Sequence, residues 1–192
     1  MDMNTNYSAA VKESFPHIKI VYDTFHIVKW FNDQVIDAAR RTEGNRLKKL
    51  AEKLQREGRV EEATLVLEER RLLFGSRFLL LANTRTLKAK DKLNAELNAD
   101  AKRIAEEDGG DPQQVGHRRT NNSDSRDVIL KANANLQNAV KAREELTEIL
   151  STPNPEHMRE KLTTWVKLYS SVGISQLTRF TRTVTNRMDG IV

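Results

Sequence analysis

A mainly α-helical fold carrying one or two β-strands is predicted for this chain, on three observations. Apolar residues recur at spacings of three and four along most of its 192 residues. Only two short runs, Ile18-Lys19-Ile20-Val21-Tyr22 and Arg77-Phe78-Leu79-Leu80-Leu81, have the composition and length of strands. Finally, 38% hydrophobic and 31% charged residues suit long two-faced helices better than a thick buried sheet.

In order along the chain, Tyr7, Ala10, Val11 and Phe15 share a helical face that stops at Pro16. The run Ile18 to Tyr22 then reads as a buried strand with Asp23 at its C-terminal end. Val28, Phe31, Val35 and Ala39 mark a helix through Arg41, and Leu47, Leu50 and Leu54 continue it to the break at Gly58. A helix over Val60 to Leu73 follows, and Gly75-Ser76 separates it from the second apolar run, read as a strand. Leu93, Leu97 and Ile104 define the next helix; residues 108–126, rich in Gly, Asn and Asp, read as a flexible loop. Ile129, Leu136, Val140 and Leu146 form another face. Pro153-Asn154-Pro155 opens a helix bearing Met158, Leu162, Trp165 and Tyr169, ended by Gly173. Ser175 is placed to cap the last helix, on which Leu177, Phe180, Val184 and Met188 align. No repeat of 20 to 50 residues is present. Two strands are too few for an independent sheet, so the first 25 residues are expected to extend a sheet whose other strands lie elsewhere.

Composition narrows the chemistry. With no cysteine, thiolate zinc sites, iron-sulfur clusters, disulfides and cysteine nucleophiles are excluded, and a reducing compartment, the cytoplasm, is expected. No apolar run reaches the length of a membrane span, and MDMNTNYSAAVKE has neither the basic start nor the apolar core of a secretory signal. Walker, GxGxxG and GxSxG signatures are absent. The net charge of +5 and pI near 9.5 admit an anionic partner such as DNA.

Asp23 is the sharpest candidate for chemistry, because a carboxylate just beyond a buried strand is where open α/β sheets place ligands. Alternatively it caps the helix that starts at Thr24 or Phe25. His26 is near enough in sequence to orient it or to meet a phosphate. His17, His117 and His157 show no zinc spacing. Arg40, Arg41, Lys48 and Lys49, with Arg179 and Arg182 on the last helix, could face DNA phosphates; interleaved Glu43, Glu52 and Glu57 point instead to a solvated face with i,i+4 pairs. Trp30 and Trp165 fall in apolar patterns and read as core.

The stretch DTFHIVKWFNDQVIDAARR resembles the DRFHVVKxxNxAxDxVRR segment of the ISL-three group of bacterial insertion-sequence transposases. Upstream, DMNTNYSAAVKESFPHIKIVYD is similar to that family's DMSxxYxxAVxExFPxAxIVxD, and downstream GSRFLLLANTRTL to its GxRxLLLxNxxNL. WVKLYSSVGISQLTRFTRTVTNRMDGIV resembles the family stretch leading into its last catalytic motif.

This resemblance implies a partial ribonuclease-H-like α/β catalytic core over residues 1–87, followed by a helical insertion over 88–192. It implies that Asp23 is the second acid of an Asp, Asp, Glu triad, with Thr24 where the family has Arg. Such a triad holds two Mg²⁺ or Mn²⁺ ions roughly 3.5 to 4 Å apart for in-line phosphoryl transfer on DNA. His26 and Asp2, which matches the DMS position, are implied neighbours of the site. The family's first Asp and its NGxxEG acid have no match in this sequence, so the expectation is an internal piece of a transposase, inactive alone. Its partners would be the insertion-sequence ends and transposase subunits. The alternative is a non-catalytic helical module that binds DNA or protein.

Overall fold

The computed structural model describes residues 10, 11, 13–15, 17–113 and 115–192. Asp2, and Tyr7 with residues 8, 9 and 12 of the first expected helix, lie outside the described residues, while residues 10, 11, 13 and 14 of it are helical. From Thr24 onward the chain is helical, in the order α1 (Thr24–Phe31), a π turn (Asn32–Asp37), α2 (Ala38–Arg56), α3 (Val60–Gly75), α4 (Arg77–Leu81) and α5 (Thr84–Glu107). After a connection come α6 (Asn122–Ala132), α7 (Ala134–Leu150), α8 (Pro155–Ser170), α9 (Ser175–Asn186) and α10 (Met188–Ile191).

No strand occurs among the described residues. Residues 18–22 are neither helix nor strand, for nothing described offers them a ladder; the Tyr22 amide instead donates to the Gly190 carbonyl at 2.7 Å. The second expected strand is corrected outright: Arg77–Leu81 is a helix. A five-residue apolar run has no period of its own, and tertiary contacts decide it. Leu79 and Leu80 turn into the core, while the Arg143 guanidinium, itself buried, donates to the carbonyls of Leu80 (3.3 Å), Leu81 and Ala82 (2.8 Å). One cation thus satisfies the orphan acceptors that a helix end leaves. The 108–126 loop is shorter than expected, since α6 already begins at Asn122. Ser175 is the first residue of α9 and not its cap; Ile174 holds the cap position.

A π turn over Asn32–Asp37, wider by one residue than an α turn, joins α1 to α2 and buries Val35, Ile36 and Asp37.

The core is built on rings. Phe31 lies edge-on to Phe180 at 4.7 Å and to Trp165 at 6.2 Å, and Trp30 stacks on Phe180 at 4.8 Å. The Trp165 indole N–H donates to the Ala142 carbonyl at 3.0 Å, which makes burial of its polar atom tolerable. Both tryptophans therefore serve packing. Leu136, Leu146, Leu162, Leu177 and Val184 complete this centre, so α1, α7, α8 and α9 form one body. The α2 and α3 helices pair as a hairpin, turned at Gly58 with φ +76°. At their crossing a Cβ on Gly44 would sit 2.2 Å from the Phe74 ring, so any side chain there requires that ring to move.

Candidate functional site at Asp23

Asp23 stands in extended conformation (φ −75°, ψ 131°) at the head of α1, and its Oδ1 accepts from the Phe25 amide at 2.7 Å. The carboxylate is therefore an N-cap, as one of the two sequence readings proposed. It is also exposed, so capping leaves the group open to a further ligand. Asp23 follows directly on Tyr22, whose buried ring rests on α10. The Tyr22–Gly190 bond, the Arg187 guanidinium 5.3 Å from the centre of the Tyr22 ring, and an Arg159–Asp189 pair at 2.9 Å join this segment to α10 and α10 to α8. His26 is half-buried, its ring edge-on to Phe25 at 5.6 Å.

Asp23 supplies one hard oxygen donor, the chemistry a divalent ion requires, but no described group of three or more acids or histidines surrounds it. The described residues thus fit one ligand of a shared metal site and do not form a whole one.

Of the expected DNA-facing cations, Arg40 is placed inward. It donates to the buried Asp37 carboxylate at 2.7 and 3.0 Å and to the Phe74 carbonyl at 3.4 Å, with its guanidinium 4.9 Å from the Phe74 ring centre. Such a group holds the fold together and does not present itself to a phosphate. Arg41 is exposed yet paired with Asp37 at 2.8 Å, and Lys48 with Glu52 at 3.8 Å, so the interleaved acids do form i,i+4 pairs. Lys49, Arg179 and Arg182 are exposed. The two basic helices meet where Gln176 of α9 donates to the Thr42 hydroxyl of α2 at 3.2 Å.

Sequence reading missed Asp37. Burial pushes its carboxyl up, but the hydrogen bond from Arg40 and the charges of Arg40, Arg41 and Arg77 outweigh burial and hold it below the ordinary carboxylate value. The signal was in the sequence as an acid three and four residues before two arginines. Asp91 was missed too: its two oxygens accept from the Asn122 amide (3.0 Å), the Asn122 side chain (2.7 Å), the Ser123 amide (2.9 Å) and the Ser123 hydroxyl (2.8 Å). A cap delivered from 31 residues away leaves no local pattern.

The described residues thus present a helical body with one exposed acid at the head of α1. The family model of the ISL-three group of DDE transposases, described as "Transposase", matches residues 1–192, and the chain belongs to that family. The transposase for insertion sequence element IS1001 of Bordetella parapertussis is 26% identical over 192 residues. That match takes in 100% of this chain and 36% of the relative, so the chain spans about a third of its length. No solved structure matches.

Proposed function

We propose that this chain contributes one catalytic acid, Asp23, and the helical scaffold around it to metal-dependent cleavage and joining of DNA at insertion-sequence ends. The observation that carries the reading is the 2.7 Å bond between the Tyr22 amide and the Gly190 carbonyl. It sets the segment ending in Asp23 against the stretch that resembles the family's approach to its last acid. Two parts of the pattern 168 positions apart are thereby held side by side, as a shared site requires. In this reading residues 1–87 belong to a ribonuclease-H-like core and residues 88–192 to its helical insertion.

Asp23 would hold Mg²⁺ or Mn²⁺ together with acids outside the described set. When bound, the ions activate the attacking hydroxyl and stabilise the leaving oxygen. The chain's own contribution is orientation. Phe25 fixes one carboxylate oxygen through its amide, so the other is presented without a rotamer search. Arg41, Lys48, Lys49, Arg179 and Arg182 are the cations proposed to meet DNA phosphates, and Arg40 drops out of that set. Their contribution should weaken as salt rises, because phosphate contacts release counterions.

The test installs these 192 residues in a complete transposase of the family and assays cleavage of a plasmid carrying the element's ends. Asp23→Asn should abolish Mg²⁺-dependent cleavage and retain binding to the ends. Cleavage that survives the substitution overturns the assignment.

A further inference from the structure

We propose that α5 is a self-association surface whose occupant is α5 of a second copy of this chain, running antiparallel. This inference rests on α5 alone and stands independently of the role given to Asp23. One face of the helix is already engaged within the chain: Asp91 caps α6, and Asn98 pairs with the Arg118 backbone through two bonds of 2.9 Å. The other face is exposed, its contacts within the chain being Lys90, 4.9 Å over the Phe78 ring, and Asp100, paired with Arg103 on the same helix at 3.3 Å. Positions 90, 93, 97, 100, 104 and 107 follow the alternating three-and-four spacing of a heptad seam. Its apolar members Leu93, Leu97 and Ile104 are 53%, 38% and 53% exposed.

The charges name the occupant. In the first half of α5 Arg85, Lys88, Lys90 and Lys92 outweigh Asp91, and in the second half Glu96, Asp100, Glu106 and Glu107 outweigh Lys102 and Arg103. Cations at a helix N-terminus and anions at its C-terminus oppose the helix macrodipole, so this order costs the isolated helix stability. An antiparallel copy reverses that cost, since each basic half then lies beside an acidic half. The register is self-consistent. Setting Lys90 opposite the partner's Glu107 also sets Leu93 opposite the partner's Ile104 and Leu97 opposite the partner's Asp100. A parallel copy would instead stack Lys90 on the partner's Lys90 and lose both end pairs.

The test is sedimentation of the 192-residue chain over a concentration series, where the mass should rise from 22.0 kDa toward twice that value. Lys90→Glu and Glu107→Lys each replace two end pairs by repulsions and should weaken association by about tenfold, whereas the double variant should restore it. Both side chains are exposed, and unchanged circular dichroism verifies the fold. Because the native chain has no cysteine, single cysteines report the geometry. A short bis-maleimide should join Leu97→Cys copies, offset by about 4.5 Å along the axis, and fail with Leu93→Cys, offset by about 16 Å. A chain that stays monomeric throughout, a double variant no better than the singles, or cross-linking at both positions overturns the proposal.

Discussion

The amide of Tyr22 donates to the carbonyl of Gly190 across 2.7 Å, and Gly190 is a glycine because of what lies on the other side of that bond. A Cβ there would stand 2.6 Å from the Ile20 carbonyl oxygen and 2.8 Å from the Tyr22 ring. The first contact is with backbone, which cannot swing aside as a side chain can. Gly190→Ala is therefore expected to push residues 20–22 off α10 and to cost about 1–3 kcal/mol. Hydrogen exchange reads it directly: the Tyr22 amide should lose protection while amides in the middle of α8 keep theirs. Unchanged protection at Tyr22 would mean that α10 shifts to absorb the methyl.

Asp37 accepts from Arg40 at 2.7 Å, from Arg41 at 2.8 Å and from Arg77 at 3.3 Å, and it is buried. Asp37→Asn leaves the Arg40 guanidinium inside without its counter-charge, a change that costs roughly 3–5 kcal/mol for a buried pair. The pH dependence has a definite sign. A carboxyl held below its ordinary value in the folded state stabilises the fold above that ordinary value, and the contribution is lost as pH falls through the lower, folded value. Denaturant midpoints followed from neutral pH into the acid range should show this falling limb in the parent chain and a shallower one in Asp37→Asn.

Most helices were legible because their apolar residues keep a period over three or more turns: Leu162, Trp165 and Tyr169 fall on one buried face, as do Leu177, Phe180 and Val184. The Asp23 cap was legible for the same local reason. What was not legible depends on partners distant in sequence. Arg143 caps α4 from 62 positions beyond Leu81, and nothing in RFLLL announces that cap, so a helix read as a strand. Arg40 looked like one cation of a basic stripe, and only the placement of Phe74 and Asp37 around it turned it inward. The π turn was not legible, since Val28, Phe31, Val35 and Ala39 read as one unbroken helix.

The segment after α5 supplies another prediction. Asn98 donates to and accepts from the Arg118 backbone, Asn94 donates to the Arg119 carbonyl at 2.9 Å, and Asp91 holds the start of α6. A stretch that reads as free loop is thus tied to α5 at three successive turns. Asp91→Ala should expose the first amides of α6 and cost about 1–3 kcal/mol, since two backbone donors lose their acceptor. Asn98→Ala should free residues 117–119 with a smaller loss. Limited proteolysis after Arg118 and Arg119 checks both, and equal cleavage rates in parent and variants would show that these bonds do not restrain the segment.

At Asp23 the capping role and the proposed metal role call for different atoms and therefore separate by substitution. An Asn side chain keeps an oxygen for the Phe25 amide and caps about as well as Asp, so Asp23→Asn should change stability by no more than a few tenths of a kcal/mol. It removes the negative charge on which a divalent ion depends. Asp23→Ala removes both, and should lower stability by about 0.5–2 kcal/mol through loss of the cap. Thermal unfolding of the 192-residue chain measures the first effect, and cleavage in the completed transposase measures the second. If Asn is silent in stability and inactive in cleavage, the loss belongs to the chemistry of the carboxylate. If Asn and Ala lower stability equally and cleavage follows stability, Asp23 is a cap alone.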